Sequence, residues 1–286
     1  MIKPAFSTVA CPEWTLEQVA SAAKQFGFSA VELRTFGPRS SNIACDPSLT
    51  AHQKVRSLFD GVGVEIASLA TSVRFDQPVN PPVIGEAVSD SESSIRAAKQ
   101  AIDLAAGIGC PLVRVFGFDL PPRQKRPATL ARIVGRLAMV LDHARNTGVR
   151  VVIENGGAFP RAADVAEILD QTNHPLLGVS YSLPVGVQAG DTPDAATAAL
   201  GSRLWLARIK DFRVGQPCRL GDGDLPCREF VSSLTRVGFT GSVVYEWDRL
   251  WMPQLASADE VLPHVASTMY QWASAGRPGL TPVGAR

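Results

Sequence analysis

Paired cysteines, a basic excess and long apolar runs are all missing from this chain. Its five cysteines, Cys11, Cys45, Cys110, Cys218 and Cys227, are odd in number and form no C-x-x-C pair. That argues against a zinc ribbon or a disulfide framework and fits a reducing cytosol. Cys110, just before a strand, reads as a small hydrophobe; Cys218 and Cys227, in a Gly-rich loop, read as accessible but inert thiols. Lys and Arg number 28 against 27 Asp and Glu, and they are scattered, so there is no electrostatic footprint for nucleic acid or an anionic membrane. No apolar run reaches the roughly 18 residues that span a bilayer. The opening MIKPAFSTVACPEW, with one Lys and no long apolar stretch, is not expected to act as a signal peptide. The expectation is a cytoplasmic protein whose partner is a small molecule.

Histidine is also scarce. His52, His143, His174 and His264 fall in helices or before strands, so a histidine general base or a His-rich metal site is not expected from their positions. Ser182 has no adjacent histidine, which leaves a Ser-His-Asp triad without support. No Gly-x-Gly-x-x-Gly follows the first strand, which weighs against a dinucleotide site.

What is present is a βα alternation repeated eight times. Short β-rich runs occupy 4–8, 30–34, 64–72, 111–117, 150–155, 176–182, 204–211 and 242–247, with helical windows such as 15–27, 94–109 and 130–148 between them. Thr15 suits an N-cap, and Gly27, Gly109, Gly148 and Gly238 stand where C′ glycines belong. Eight such units joined by right-handed crossovers imply an α/β fold, a single (β/α)8 TIM barrel over residues 1–275, with a doubly wound sheet as the alternative. The 286 residues, 45% hydrophobic, are ample for one core. Residues 276–286, GRPGLTPVGAR, read as a flexible Gly/Pro-rich tail. The long loops 73–93 and 212–226 are lid candidates.

Charged residues gather at the predicted strand ends. Glu154 stands near the end of VVIEN and Glu246 follows SVVY, while Arg208 and Lys210 lie on the strand between them. Side chains two apart share a strand face, so Val152 and Glu154 point together, as do Val244 and Glu246, and Leu206, Arg208 and Lys210. The same parity pairs Glu32 with Arg34, Leu112 with Arg114, and Gly178 with Ser180 and Ser182. Converging charges above a dry core need mutual pairing or a ligand; rim salt bridges are the bland alternative for each. Glu32 sits early on its strand, where a structural pair with Arg34 or Lys210 is as reasonable as chemistry. Trp247, Asp248, Trp251 and Pro253 could wall a pocket or simply pack the rim. The loop Leu220–Pro226 leads into a helix, where backbone amides could hold an anion. Asp222 and Asp224 put negative charge in that turn and favour a shaped turn instead.

FGFSAVELR (26–34), LATSVRF (69–75), LVRVFG (112–117), VVIEN (151–155), IKD (209–211) and above all 220–255 resemble the xylose isomerase-like TIM barrel superfamily, in its sugar phosphate isomerase/epimerase branch. The resemblance runs from about Lys3 to Tyr270. It implies a divalent cation held by a Glu after strand five, an Asp after strand six, a His on strand seven and a Glu after strand eight. Glu154 and Glu246 match the two glutamates. The aspartate position falls at Ser182, with Pro184 and Val185 where a nearby His is usual, and the histidine position falls at Arg208. Arginine offers no lone pair and carries a fixed positive charge, so Arg208 is expected to replace the cation.

The expectation that follows is a metal-independent enzyme, with no cofactor, moving a proton next to a carbonyl in isomerisation, epimerisation or elimination (lyase) chemistry on a small polar metabolite. Glu154 and Glu246 would be acid and base, Arg208 and Lys210 would stabilise an enolate-like oxygen or grip a carboxylate, and Arg114, Arg34, Ser182, Glu32 and Trp247 would contact substrate. A second reading is a barrel that only binds a ligand or partner; a short Arg208–Glu bridge filling the mouth favours it, and an open cavity favours the enzyme. A third keeps Mn2+, Mg2+ or Zn2+ at Glu154 and Glu246. A homodimer is a family-level expectation only.

Overall fold

The computed structural model describes residues 1–37, 43–77 and 90–275, the side chains of 90–92 excepted. The expected tail at 276–286 and most of the loop 73–93 lie outside the described residues. Eight parallel strands close a barrel: β1 Lys3–Ser7, β2 Ala30–Arg34, β3 Glu65–Arg74, β4 Leu112–Phe116, β5 Arg150–Glu154, β6 Leu177–Ser182 and β7 Leu204–Ile209, with β10 Ser242–Tyr245 sealing β7 to β1. All eight strands expected from the sequence are present, and the doubly wound alternative is set aside by closure.

Helix starts follow local chemistry. Thr15 caps Leu16–Gln25 in a capping box with Gln18, each side chain accepting from the other's backbone N–H. The window at 130–148 is displaced, because the helix runs Arg126–Ala144 and starts early with Pro127 in its first turn, where a missing N–H costs nothing. Gly148 is therefore not a C′ glycine: the chain turns at Asn146 with positive φ, and Thr147 Oγ1 donates to the Ala144 carbonyl. Gly27, Gly109 and Gly238 do adopt left-handed φ directly after their helices. Among the described residues no helix is long and apolar enough to cross a membrane.

The loop after β7 differs from a plain lid. Asp211–Arg213 (β8) and Gln216–Cys218 (β9) form a small antiparallel hairpin, and 220–225 folds back under it.

Inside the barrel lies a single thin apolar layer: Ala5, Ala30, Ala67, Leu112, Val152, Leu206 and Val244. Its floor is closed by Trp205, whose ring lies where a Cβ on Gly178 would stand, 2.2 Å away. Strand parity then puts the next inward residues, Ser7, Glu32, Arg114, Glu154, Arg208 and Glu246, immediately above that layer. Short strands leave no room for a second apolar layer, so the mouth is polar from its base.

Candidate functional site

Arg208 stands at the centre of the mouth, 1% exposed. Its Nη2 donates to Glu246 Oε1 at 2.8 Å, and its Nη1 donates to Glu32 Oε2. Its Nε lies 3.1 Å from Glu154 Oε2, yet this N–H is not directed at the oxygen and has no hydrogen-bond partner. That third contact is an ion pair without a hydrogen bond. Burial alone would lower the Arg208 pKa, but the carboxylates of Glu154, Glu32 and Glu246 outweigh it and hold the guanidinium charged.

The carboxylates respond in kind. Burial would raise Glu246, and Arg208, Lys210 and Arg114 overcome that and press it well below the usual carboxylate range. Glu32, fully buried, is likewise lowered, its desolvation outweighed by Arg208 and Arg114. Its partner is Arg208 rather than Arg34 or Lys210, and Ser68 Oγ donates to the same Oε2 at 2.8 Å. The opposite oxygen, Glu32 Oε1, is sealed without a hydrogen bond, as is the neighbouring Ser7 Oγ.

Glu154 is held differently. Arg114 Nη1 at 3.0 Å, Arg208 Nε at 3.1 Å and Ser180 Oγ at 3.2 Å all meet Oε2. Its Oε1 accepts no hydrogen bond among the described residues. Lys210 lies just beyond the end of β7, 3.3 Å from Glu246 Oε2 and 3.0 Å from Asp248 Oδ2. Burial would lower its pKa, but Glu246 and Asp248 raise it. Asp248 itself is raised, by burial first and Glu246 second, with Lys210 opposing.

Glu154, Glu246, Arg208, Lys210, Arg114 and Glu32 thus come together as strand parity implies. Arg34 and Ser182 sit at their margin: Ser182 is paired in register with Arg208, and Arg34 donates to the Thr71 carbonyl and Ser72 Oγ, each at 2.5 Å. Trp247 departs from the expectation of substrate contact. Its indole N–H donates to the Ala256 carbonyl, its ring stacks on Tyr245, and it is 4% exposed, so it packs the core behind the rim. Ser68, which the sequence did not mark, belongs to the site, as do Ser180, placed only by parity, and Asp248, one of the residues that could wall a pocket or pack the rim. Ser180 shares the inward face of Ser182 and was findable; Ser68 reaches Glu32 only because a bulge shifts the β2–β3 register between Val31 and Glu32.

The Gly-rich loop does hold an anion, and the anion is internal. Asp211, 2% exposed, accepts backbone N–H groups of Gly221 and Gly223 at Oδ2 and of Phe212 and Leu225 at Oδ1. The loop is a shaped turn wrapped on its own carboxylate. Cys227 also departs from expectation: it is buried, and burial followed by Asp211 drives its pKa up, whereas Cys218 remains partly accessible.

The donor set at the mouth does not fit a divalent cation. Ser182 supplies a neutral hydroxyl, and the Arg208 guanidinium, a permanent cation with no lone pair, fills the space between the three glutamates. Among the described residues no group of three or more His, Cys, Asp or Glu could hold a metal ion.

Comparisons with known proteins agree with the barrel. No curated protein matches the sequence. The fold is similar to that of an L-ribulose 3-epimerase (14% identity, 97% of this chain and 96% of that one, TM-score 0.80). It is also similar to the IOLI protein solved with a bound zinc atom (16%, 97% and 100%, TM-score 0.77) and to a D-allulose 3-epimerase from Methylomonas sp. (15%, 96% and 98%, TM-score 0.74). A family model described as the xylose isomerase-like TIM barrel matches residues 20–267. The chain belongs to the xylose isomerase-like TIM barrel family.

Proposed function

We propose that this protein is an isomerase or epimerase that moves a proton next to a carbonyl without a divalent metal, with Glu154 and Glu246 exchanging the proton and Arg208 supplying the positive charge. One observation carries the reading: the two carboxylates flank a single guanidinium, and among the described residues Glu154 keeps Oε1 without a hydrogen bond. The epimerases among the structural neighbours favour this reaction class. These neighbours lend no support to the elimination branch.

Glu246 is ionised at rest, so it takes the proton-accepting half. Its low pKa makes it a weak base while Arg208 and Lys210 are its partners. A carbonyl oxygen arriving at those cations competes for their N–H groups and raises Glu246 towards a useful value. The C–H bond electrons then pass into the carbonyl, giving an enolate whose negative oxygen faces Lys210 and Arg208. Glu154, holding at Oε1 a proton taken from water, gives it to the opposite face of the enolate carbon for epimerisation. For isomerisation the enolate oxygen takes a proton, the hydroxyl on the deprotonated carbon gives one up, and the proton from Glu154 goes to the former carbonyl carbon. Glu246 then releases the proton it took to water. Two glutamates can divide the work only if their environments differ, and here one is gripped at both oxygens and the other at one.

A second reading has its own observation. Arg208 is sealed against three carboxylates, as it would be in a barrel that only binds. A panel of ketoses, with their carboxylate-bearing and phosphorylated counterparts, separates the two by product analysis. Turnover that vanishes in both Glu154→Gln and Glu246→Gln, with folding retained, supports the enzyme; turnover surviving in both sinks the assignment.

A further inference from the structure

Four cations meet four carboxylates at the mouth, but they are not evenly matched. Arg208, Arg114 and Lys210 each lie within ion-pair distance of Glu32, Glu154, Glu246 or Asp248. Arg34 has no carboxylate partner among the described residues. An arginine fork carries five N–H donors; two of those on Arg34 go to neutral acceptors, the Thr71 carbonyl and Ser72 Oγ, and Nε has no hydrogen bond among the described residues.

Another cation shares its acceptor. Arg114 Nη2 donates to the same Thr71 carbonyl at 3.1 Å, so two guanidiniums crowd one oxygen, and Arg114 Nε is also sealed without a hydrogen bond. Burial, then Arg114, pull the Arg34 pKa down to about 10. The protein thus keeps a charge where its own surroundings disfavour it. Arg34 is 6% exposed, but its Nη2 donates to the hydroxyl of Ser72, an exposed residue near the end of β3. The ring of Phe36, partly open to solvent, lies 4.5 Å from the guanidinium carbon and fixes the plane of the fork.

We propose that Arg34, with Arg114 beside it, is the subsite for the anionic end of the substrate, a carboxylate or a phosphate ester, so that the substrate class is an acidic carbonyl compound rather than a neutral sugar. The inference rests on the mouth being a substrate site. An anion at hydrogen-bond distance from Arg34 and Arg114 meets two guanidiniums at contact range, where Coulomb attraction is greatest, against the opposing charge of Glu32 and Glu246. The planar fork suits either headgroup in a bidentate grip. Anchoring that end at β2 and β4 leaves the carbonyl end directed across the barrel towards Glu154, Arg208 and Glu246.

If Arg34 were only a strap between β2 and the end of β3, its charge would be dispensable. Calorimetric titration of the full chain with glycolate, inorganic phosphate and glycerol distinguishes these roles without requiring turnover. The expected result is binding of at least one anion, no binding of glycerol, and a loss of about tenfold or more in affinity in Arg34→Gln. Arg34→Lys, which keeps the charge without the fork, should bind more weakly than wild type and more tightly than Arg34→Gln; it also serves as the test variant if Arg34→Gln fails to fold. Preference for glycolate or for phosphate identifies the headgroup. No anion binding by wild type, glycerol binding as well as the anions, or unchanged affinity in the folded Arg34 variants overturns the proposal. Loss of the proton-transfer assignment would leave this binding intact, and turnover of neutral ketoses without anion binding would defeat this inference alone.

Discussion

Arg208 Nη2 donates to Glu246 Oε1 at 2.8 Å, and through the other arms of the same guanidinium β10 is tied to β2 and β5. The arrangement puts a fixed positive charge at the axis of the barrel mouth, where three buried carboxylates would otherwise repel one another. Its consequences for stability can be measured without knowing the substrate.

Arg208→Met removes the common partner of Glu32, Glu154 and Glu246. Breaking a buried ion pair from one side typically costs about 3–5 kcal/mol, and here three carboxylates lose a contact at once. Urea denaturation near neutral pH should show a loss of that order. The deficit should shrink at about pH 5, where the stranded carboxylates can take up protons.

The wild-type pH profile has a definite sign. Glu32 and Glu246 have folded pKa values below their unfolded ones, so the unfolded chain binds more protons as acidity rises. Their stabilisation is complete above the unfolded value of about 4.3 and is lost as pH falls below it towards the folded values. The melting temperature should therefore be flat in this contribution from neutral pH to about 5 and fall below about 4.5. Arg208→Met should fall less steeply.

Gly223→Ala tests the shaped loop. An added Cβ would stand 2.0 Å from Asp211 Oδ1 and 2.6 Å from the Phe212 carbonyl oxygen, so the turn around Asp211 must open. Exposing or orphaning its hydrogen bonds should cost about 1–3 kcal/mol by chemical denaturation. Asp211→Ala should cost a similar amount, and the double variant much less than the sum, because both changes break the same turn.

Restoring the family's donor set should restore its metal. Arg208→His with Ser182→Asp replaces a fixed cation and a hydroxyl by two ligands beside Glu154 and Glu246. Titration with Zn2+ or Mn2+ should give saturable binding to the double variant and none to the parent. Equal binding by both proteins would mean that Arg208 does not take a metal's place.

How much of this was legible in the sequence depends on what decides each feature. Short β-rich runs between helical windows mark all eight strands, and parity places Glu154, Arg208, Glu246 and Arg114 on one inner face, because a short barrel strand has only two faces. Ser68 escaped because a bulge, invisible to periodicity, turns it towards Glu32. The partner of Glu32 escaped because Arg208 lies 176 residues away in the chain; only closure of the barrel brings β2 towards β7. Trp247 follows Glu246 directly and so faces outward, a consequence of the same parity that placed Glu246 correctly. The Asp211 turn could be read as a shaped turn from its acidic residues, but the carboxylate at its centre lies ten residues upstream of Gly221.

The central claim is that Glu154 and Glu246 exchange a proton under the charge of Arg208 with no metal. The most direct measurement is deuterium uptake from heavy water at the carbon next to the carbonyl, followed by proton NMR across the ketose and acidic-ketose panel with chelator-treated protein. The predicted result is undiminished exchange in the chelated wild type, no exchange in Glu246→Gln, and exchange without product formation in Glu154→Gln. Exchange that stops on chelation and returns with a divalent metal, or no exchange with any member of the panel, would contradict it.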